Sequence, residues 1–367
     1  MGRLPKWADI VLVPLVSLLL AAFIAALMIL AIGQDPWEAL TVMVQGSLMD
    51  ARGWGYTLYY ATSFIFTGLA VTIAFHGALF NIGGEGQAQI GGLGVALCCL
   101  YLPWPHWSLA LIGAALAAAA FGAAWAAIPA YLQAKRGSHI VITTIMFNYI
   151  AASLMIFMLV DVLRPQGRQE PTTAGFPEAT HLPSLDQIPL LNLIFTKAVP
   201  ANVTLLIALA LCVAVWALLW HSRLGFQIRA FGKSDQAARY AGINATKIIM
   251  ISMLISGGLA GLMAINNVMG EAERLVGNSA SGAGFIGIAV ALMGRNHPFG
   301  VVLAALLFGF LFQGGAELGL WTSIPIEMRI VVQGLVILFT GALDMMVRMM
   351  LVRIFALFAS PKAARAA

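Results

Sequence analysis

The sequence predicts an all-α, polytopic membrane protein with about ten transmembrane helices. Of its 367 residues, 61% are apolar and only 10% are charged, whereas soluble domains carry roughly 25% charged residues. Several apolar runs reach the roughly 20 residues that cross a bilayer core. These runs are continuous rather than alternating, which excludes a transmembrane β-barrel. Because they take up nearly the whole length, residues 1–367 are expected to form a single transmembrane domain.

The expected spans follow one another with mostly short polar connections. The first, at residues 10–32, follows two basic residues, and its apolar run is too long for a signal peptide, so we interpret it as a retained span. The span at 108–131 is rich in alanine, which lets neighbouring helices approach it closely. The other spans are expected at residues 56–75, 88–102, 140–160, 203–220, 247–268, 282–293, 299–316 and 328–346.

The distribution of Lys and Arg orients these spans. If the N-terminus is cytoplasmic, 14 of the 20 basic residues lie on the cytoplasmic side, including five in the segment 223–247. This bias predicts cytoplasmic termini, a cytoplasmic segment 223–247 and a long extracytoplasmic loop at 161–202, which contains six of the fifteen prolines. The net charge of +5 then reflects orientation and anionic lipid, and it does not indicate a nucleic-acid partner.

Two short glycine-rich segments resemble each other. Residues 86–97 (GQAQIGGLGVAL) and 281–292 (SGAGFIGIAVAL) share five of twelve residues, and the predicted topology runs them through the membrane in opposite directions. A pair of short, glycine-interrupted segments is typical of an inverted repeat around a central pathway. Chance similarity between two glycine- and alanine-rich segments is the alternative.

The segment 223–247 is a polar island between two apolar runs. It holds five basic residues and a single acid, Asp235. Ser234 is a preferred N-cap residue, so a short helix is expected to begin at Asp235, and Gly242 is placed to end it. Such a basic helix either rests at the membrane surface or offers a contact to a cytoplasmic partner.

Polar side chains inside the apolar region form a second group of candidates. Three of them surround the glycines of residues 80–87, where non-helical backbone needs protein or water to satisfy its polar groups. Two more lie one helical turn apart in the span at 140–160. Either they line a gate or substrate path, or they hydrogen-bond within a glycine hinge and between helices. In chain order they are Asn81, Glu85, Gln87, Thr144 and Asn148.

The sequence contains no motif for catalysis or metal binding. The three cysteines lie inside apolar runs without CxxC spacing, the histidines form no metal-binding pattern, and no G-x-S-x-G or H-E-x-x-H motif occurs. Residues 232–234 (GKS) mimic the end of a phosphate-binding loop, but residue 227 is Gln where that motif has Gly. No catalytic residue, metal site, cofactor or ATPase of the chain's own is therefore predicted.

Five stretches carry a resemblance to a known family, and together they cover most of the chain. They are FNIGGEGQ (80–87), ITTIMFNYIA (142–151), LGFQIRAFGKSDQAARYAGI (224–243), SGGLAGL (256–262) and GFIGIAVALMGRNHPFGVVLAALLFG (284–309). In this order they resemble the membrane permeases of ABC importers in the branched-chain amino acid, ribose and nucleoside group. The sequence is most like the larger permease of nucleoside or simple-sugar importers.

The resemblance implies a transmembrane permease subunit that forms the pathway for nucleosides or related simple sugars. The loop matching residues 225–242 would dock in a cleft of a separate cytoplasmic ATPase. An extracytoplasmic substrate-binding protein would deliver the substrate, and a second, homologous permease would complete the pathway. The implied location is the inner membrane of a bacterium, so the lipid bilayer is itself a partner. The implied coupling residues, together with the acid that lies among them, are Gly225, Arg229, Gly232, Asp235, Ala238, Arg239 and Gly242.

Two other classes of protein compete with this interpretation. An ion-coupled secondary transporter of a small polar solute needs acids within its spans, and only Glu85 and Glu317 qualify, both near span ends. A membrane-embedded enzyme needs a catalytic constellation, which the sequence lacks. Co-purification with an ATPase subunit would favour the permease, whereas uptake driven by an ion gradient without ATP would favour the secondary transporter.

Overall fold

The computed structural model describes residues 12–189, 191–195, 199–325, 327–339 and 344–358, together with residues 5 and 8. Within these residues the structure is helical and contains no β-sheet, only two isolated β-bridges, which confirms the all-α fold class. The α-helices are α1 (Val13–Ala31), α2 (Pro36–Val44), α3 (Ala51–His76), α4 (Gly84–Tyr101), α5 (Trp107–Arg136), α6 (Ile140–Phe157), α7 (Thr204–His221), α8 (Arg223–Lys233), α9 (Asp235–Tyr240), α10 (Ala245–Leu262), α11 (Ala283–Met293), α12 (Pro298–Trp321), α13 (Met328–Ile337) and α14 (Asp344–Phe358).

Seven of the described helices are long and apolar enough to cross a membrane, namely α1, α3, α5, α6, α7, α10 and α12. Two of them are lengthened by π-helical turns, α6 to Val162 and α10 to Glu271. The short glycine-rich segments form α4 and α11, and α13 begins where the last predicted span does. The count of ten spans stays a prediction, because residues 340–343 lie outside the described ones. So do Arg3, Lys6, Lys197, Lys362 and Arg365, which entered the charge count.

The chain divides into two compact units, and the larger, Ser47–Phe310, is built around α3 and α10. Every residue from 61 to 74 of α3 is buried, as expected for a helix that is apolar on all sides. Its hydroxyl groups bond to carbonyls of the preceding turn: the Thr62 hydroxyl donates to the Leu58 carbonyl oxygen at 2.7 Å. Thr67 does the same toward the Ser63 carbonyl oxygen at 3.2 Å, so these two hydroxyl groups are satisfied within the helix itself.

Small residues let α5 and α10 cross at a very short distance. Ala118, Gly122 and Ala126 recur every four residues on α5, and Gly257 and Gly261 do so on α10. A Cβ atom on Gly122 would lie 2.3 Å from the carbonyl oxygen of Gly257, and one on Gly261 would lie 2.3 Å from that of Ala118. The close approach expected of the alanine-rich span is thus confirmed, with its partner identified as α10.

The long loop predicted at 161–202 folds over the connection between α10 and α11. Thr173 donates its backbone N–H to the Leu275 carbonyl oxygen at 3.0 Å, and the Leu275 N–H donates to the Thr173 hydroxyl at 3.0 Å. Phe176 adds a third bond, from its N–H to the Glu273 carbonyl oxygen at 2.8 Å. Beyond the π-helical turn at its start, the described part of this loop forms only 3₁₀ turns, because its frequent prolines interrupt longer helices.

The smaller unit combines the segment up to Gly46 with the segment from Leu311 onward. In it, α1 packs against α13 and α14, and Val13, Val347 and Leu351 form a buried apolar cluster. Glu317 accepts hydrogen bonds from the side chains of Gln313 and Trp321, both at 2.8 Å. Its carboxylate is therefore held by neighbours on the same helix.

The crossing of α5 and α10 generates a stability prediction. Gly261→Ala puts a methyl group against the backbone of α5, which cannot rotate away, so we expect overpacking to lower the stability by about 1–3 kcal/mol. The measurement is the unfolding temperature of the purified protein in detergent. Gly258→Ala is the matched control, since its Cβ atom would meet the Ala119 carbonyl oxygen at 3.4 Å, an ordinary contact. Equal unfolding temperatures for the two variants would contradict the packing argument.

Candidate functional site

The polar island folds as two helices. The predicted one is α9, in which the Ser234 hydroxyl accepts a hydrogen bond from the Ala237 N–H at 3.2 Å. Gly242 follows with φ of +81°, the left-handed conformation that glycine adopts readily. The helix before it, α8, is not among the predicted elements. Its N-cap is Ser222, whose hydroxyl accepts a hydrogen bond from the Gly225 N–H at 2.9 Å. The GKS sequence thus lies at a helix-to-helix junction, not in a phosphate-binding loop.

Two glycines of α8, seven residues apart, lie directly on the backbone of other helices. A Cβ atom on Gly225 would lie 2.0 Å from the carbonyl oxygen of Leu218 in α7. One on Gly232 would lie 2.1 Å from the carbonyl oxygen of His76, the last residue of α3. These two of the three candidate coupling glycines are therefore required for the close approach of α8 to α7 and α3.

An apolar face holds the island to the same spans. Ile228 and Phe231 of α8 and Ala238 of α9 are buried in one cluster with Ile140 of α6 and Ile248 of α10. Ala238 is a candidate coupling residue, and its side chain is only 3% exposed. It thus serves to anchor α9 and offers no surface of its own.

Most of the remaining candidate coupling residues are exposed, and only Arg229 is half-buried. Arg239 and Asp235 form an exposed ion pair at 3.6 Å, one turn apart on α9. Tyr240 beside them is 95% exposed. Arg229 is half-buried, and its guanidinium carbon lies 5.9 Å from the centre of the Trp220 ring, a cation–π contact.

Three basic segments that the charge distribution assigned to one membrane side lie together in the larger unit. The end of α5, whose last turn holds two basic residues, joins the island because Ala130, Ile140 and Ile228 share one cluster. The loop before α12 joins it because the rings of His297 and Trp220 are 5.1 Å apart. We call this the basic end of the larger unit. Its composition agrees with a single membrane side for all three segments.

The polar residues at 81–87 bond to one another. The Asn81 amide nitrogen donates to the Gln87 side-chain oxygen and to the Ser256 hydroxyl, both at 2.9 Å. The Asn81 oxygen accepts from the Gly83 N–H at 2.9 Å, and Ser256 in turn donates to the Ala70 carbonyl oxygen at 2.7 Å. Asn81 and Gln87 are each 1% exposed. This network ties the connection between α3 and α4 to α10, and Ser256 is a member that was not among the predicted candidates.

The two candidates of α6 have different partners. Asn148 accepts from the Gly86 N–H and donates to the Ile82 carbonyl oxygen, both at 2.9 Å, so it fixes the first turn of α4 from outside. The Thr144 hydroxyl donates to the Ile140 carbonyl oxygen of its own helix at 2.8 Å. Both side chains are buried. Of these two residues, only Asn148 forms a hydrogen bond to the segment 80–87.

Glu85 connects α4 to α11. One carboxylate oxygen accepts the Gly282 N–H at 2.8 Å, and the other accepts the Gly284 N–H at 2.9 Å. These N–H groups belong to the start of α11, which has no intrahelical acceptor for them. A Cβ atom on Gly284 would lie 2.2 Å from the backbone nitrogen of Glu85, so the two helix starts are in direct contact. The two segments of the predicted repeat therefore meet at their N-termini.

A further buried polar cluster lies near the long loop and was not predicted. The Asn266 amide nitrogen donates to the Ser63 hydroxyl at 2.9 Å and to the Tyr59 carbonyl oxygen at 3.0 Å. Its side-chain oxygen lies 2.9 Å from the Thr204 hydroxyl and 3.2 Å from the Asn202 amide nitrogen. Asn266 is in the π-helical turn that follows α10. The sequence does not reveal this role of Asn266, because its partners come from α3, the start of α7 and the loop before it.

Within the described residues no group of three or more His, Cys, Asp or Glu side chains is placed to hold a metal ion. Cys98, Cys99 and Cys212 are buried and not paired in disulfides. The candidate residues therefore fall into two groups, one at the basic end and one in a buried hydrogen-bonded network.

Comparison with known proteins places the whole arrangement in one family. The chain matches the family described as branched-chain amino acid transport system / permease component over residues 54–341. It is 36% identical over 337 residues to the guanosine ABC transporter permease protein NupP of Bacillus subtilis, covering 90% of this chain and 93% of NupP. It is 33% identical over 334 residues to the glucose ABC transporter permease protein TsgB13 of Haloferax volcanii, covering 89% and 86% of the two chains.

A second protein of Bacillus subtilis, the guanosine ABC transporter permease protein NupQ, is 31% identical over 280 residues, which cover 73% of this chain and 84% of NupQ. The family match begins in α3, extends beyond α13 and contains both candidate groups. The chain therefore belongs to the permease components of the branched-chain amino acid transport system family and is a multi-pass membrane protein.

Proposed function

We propose that this chain is one of two permease subunits of an ATP-binding-cassette importer for nucleosides or related simple sugars. The observation that carries the proposal is the family match over residues 54–341, which includes α8 and α9. A separate cytoplasmic ATPase supplies the energy, and an extracytoplasmic binding protein delivers the substrate. The basic end faces the cytoplasm of a bacterial inner membrane, since basic loops are retained on that side.

The second subunit is a homologous permease. Two different guanosine ABC transporter permease proteins of Bacillus subtilis are related to this chain over most of its length. This supports a heterodimer in which each chain forms part of the pathway.

Docking of the ATPase rests on α8 and α9 as a rigid surface. Gly225 and Gly232 fix α8 against the ends of α7 and α3, while Ala238 fixes α9. Arg239 and Tyr240 then project from a supported helix, as interface residues that carry binding energy do. Gly242 ends this surface with its left-handed turn.

Transport can be tested in proteoliposomes that contain this chain, the second permease and the ATPase, with the substrate-binding protein added. We expect uptake of labelled guanosine to require ATP on the ATPase side, because nothing in the described part of this chain supplies an energy source. Collapse of ion gradients by an ionophore should leave the rate unchanged. The measurement is the initial uptake rate of guanosine and glucose, each with its binding protein. Uptake that persists without ATP under an imposed proton gradient would reject the proposal in favour of a secondary transporter.

Arg239→Ala tests the docking surface. An exposed ion pair contributes at most about 1 kcal/mol to folding, so the variant should insert and unfold like the wild type. An arginine that anchors an interface is worth about 2 kcal/mol or more, so uptake and co-purification of the ATPase should fall about tenfold or more. The matched control is Arg136→Ala, an exposed arginine at the same end but outside the island. Wild-type uptake by Arg239→Ala would count against α9 as the docking element.

The polar residues at 81–87, Thr144 and Asn148 are proposed to border the substrate path. Their amides and hydroxyls can offer hydrogen bonds to a ribose or a base, and they are buried without charge except at Glu85. In this proposal Glu85 holds the starts of α4 and α11 in place and does not couple ions.

The Glu85→Gln variant distinguishes a structural role of this carboxylate from a role in ion coupling. The amide nitrogen would face a backbone N–H, and a buried donor without an acceptor costs about 1–3 kcal/mol. We therefore expect a lower unfolding temperature, and residual uptake that still depends on ATP. Glu271→Gln makes the same change at an exposed position of the larger unit. We expect this control to keep the unfolding temperature and the uptake rate of the wild type. A Glu85→Gln variant with wild-type stability and a lost response to ion gradients would show that the carboxylate couples ions.

A further inference from the structure

A cavity of about 580 Å³ opens at the basic end where α7 ends and α8 begins. The last residues of α7 and the first two turns of α8 form one side of it, and the turn after α9 forms the other. Its walls combine two arginines with apolar and aromatic side chains and contain no acid. The lining residues that matter here are Trp220, Arg223, Phe226, Gln227, Arg229 and Ile243.

The two arginines of the cavity lack an anionic partner. Among the described residues, neither Arg223 nor Arg229 forms an ion pair. The Nε atom of Arg229 is buried and has no hydrogen-bond acceptor, although its guanidinium lies over Trp220. A buried guanidinium donor without an acceptor is costly. Both guanidinium groups line the cavity, and their other N–H groups can form charge-assisted hydrogen bonds to an anion there.

The position of the cavity along α7 indicates where such an anion comes from. Trp220 and His221 end an apolar span, and tryptophan is typical of the depth at which lipid headgroups lie. Below them α7 presents an exposed apolar face that includes Leu206 and Val213. An arginine pair above an apolar helix face matches a phosphate above acyl chains.

We propose that this cavity binds the headgroup of an anionic phospholipid, such as phosphatidylglycerol. Arg223 and Arg229 bind the phosphate, and the glycerol and acyl chains follow Phe226 and α7. The lipid would tie the junction of α7 and α8 to the membrane surface. The lining includes Arg229, one of the implied coupling residues, but neither Arg239 nor Tyr240. Lipid retention and co-purification of the ATPase are therefore measured separately, so that either assignment can fail without the other.

Native mass spectrometry of the purified full-length chain tests the site, with dioleoylphosphatidylglycerol and dioleoylphosphatidylcholine as probes. We expect the wild type to retain the anionic lipid selectively. In Arg223→Gln/Arg229→Gln this retention should fall about thirtyfold, because each arginine near an anionic lipid contributes about a factor of five. Lys135→Gln/Arg136→Gln, which removes two exposed charges at the same end, should retain the lipid. Unfolding temperatures without lipid check that both variants are folded.

Three outcomes would overturn the proposal. Equal retention of the two lipids, or equal losses in both double variants, would mean that the cavity has no specific lipid site. Retention of inorganic phosphate without a preference for phosphatidylglycerol would identify a soluble anion as the ligand. A photoreactive benzoylphenylalanine at Phe226, tested in membranes with the complete transporter, should cross-link to lipid. Cross-links to the ATPase alone would make the cavity part of the docking surface.

Discussion

The Glu85 carboxylate joins the starts of α4 and α11, and the centre of the larger unit is arranged around this contact. Both of its oxygens accept backbone N–H groups at the start of α11, while Glu85 itself lies in the first turn of α4. Helix N-termini carry partial positive charge, so two of them side by side are unfavourable without an anion between them. The close approach further requires that residue 284 be glycine. One carboxylate and one glycine thus fix where both helices begin.

Hydrogen bonds close to Glu85 also fix the connection between α3 and α4. Asn81 links it to Ser256 of α10, and Asn148 of α6 holds the N–H of Gly86 and the carbonyl of Ile82. These amides use most of their hydrogen-bonding capacity within the protein. A substrate that contacts them must therefore exchange one hydrogen bond for another, which gives selectivity for polar groups at little net gain in affinity. The same residues can therefore hydrogen-bond within the hinge and still border a substrate path.

Local signals in the sequence predicted the helices, but not which of them meet. Ser234 and Gly242 predicted α9 because a cap and a left-handed turn depend on neighbouring residues only. The helix α8 was missed, since its apolar residues Leu224, Ile228 and Phe231 are spaced for a buried face but lie among charges. The partners of Glu85 lie almost 200 residues further along the chain. The acid, amides and glycines at 80–87 therefore predicted a polar, glycine-rich break within the apolar region. Which helices this break connects depends on contacts that only the fold provides.

A chain of close backbone contacts leads from the basic end to the helix starts at Glu85. Gly232 of α8 rests on the last carbonyl of α3, Gly287 of α11 rests on Thr67 of α3, and Gly284 rests on Glu85. At the first and last of these contacts the glycine meets backbone atoms, whereas Gly287 meets both the side chain and the backbone of Thr67. A displacement of α8 therefore meets few flexible side chains that could absorb it. Contiguity alone does not make a coupling path; a second stable arrangement of the same contacts is also needed. In the proposed transporter that second arrangement would be one in which α4 and α11 separate, and Glu85 would then have to exchange its two backbone donors for water.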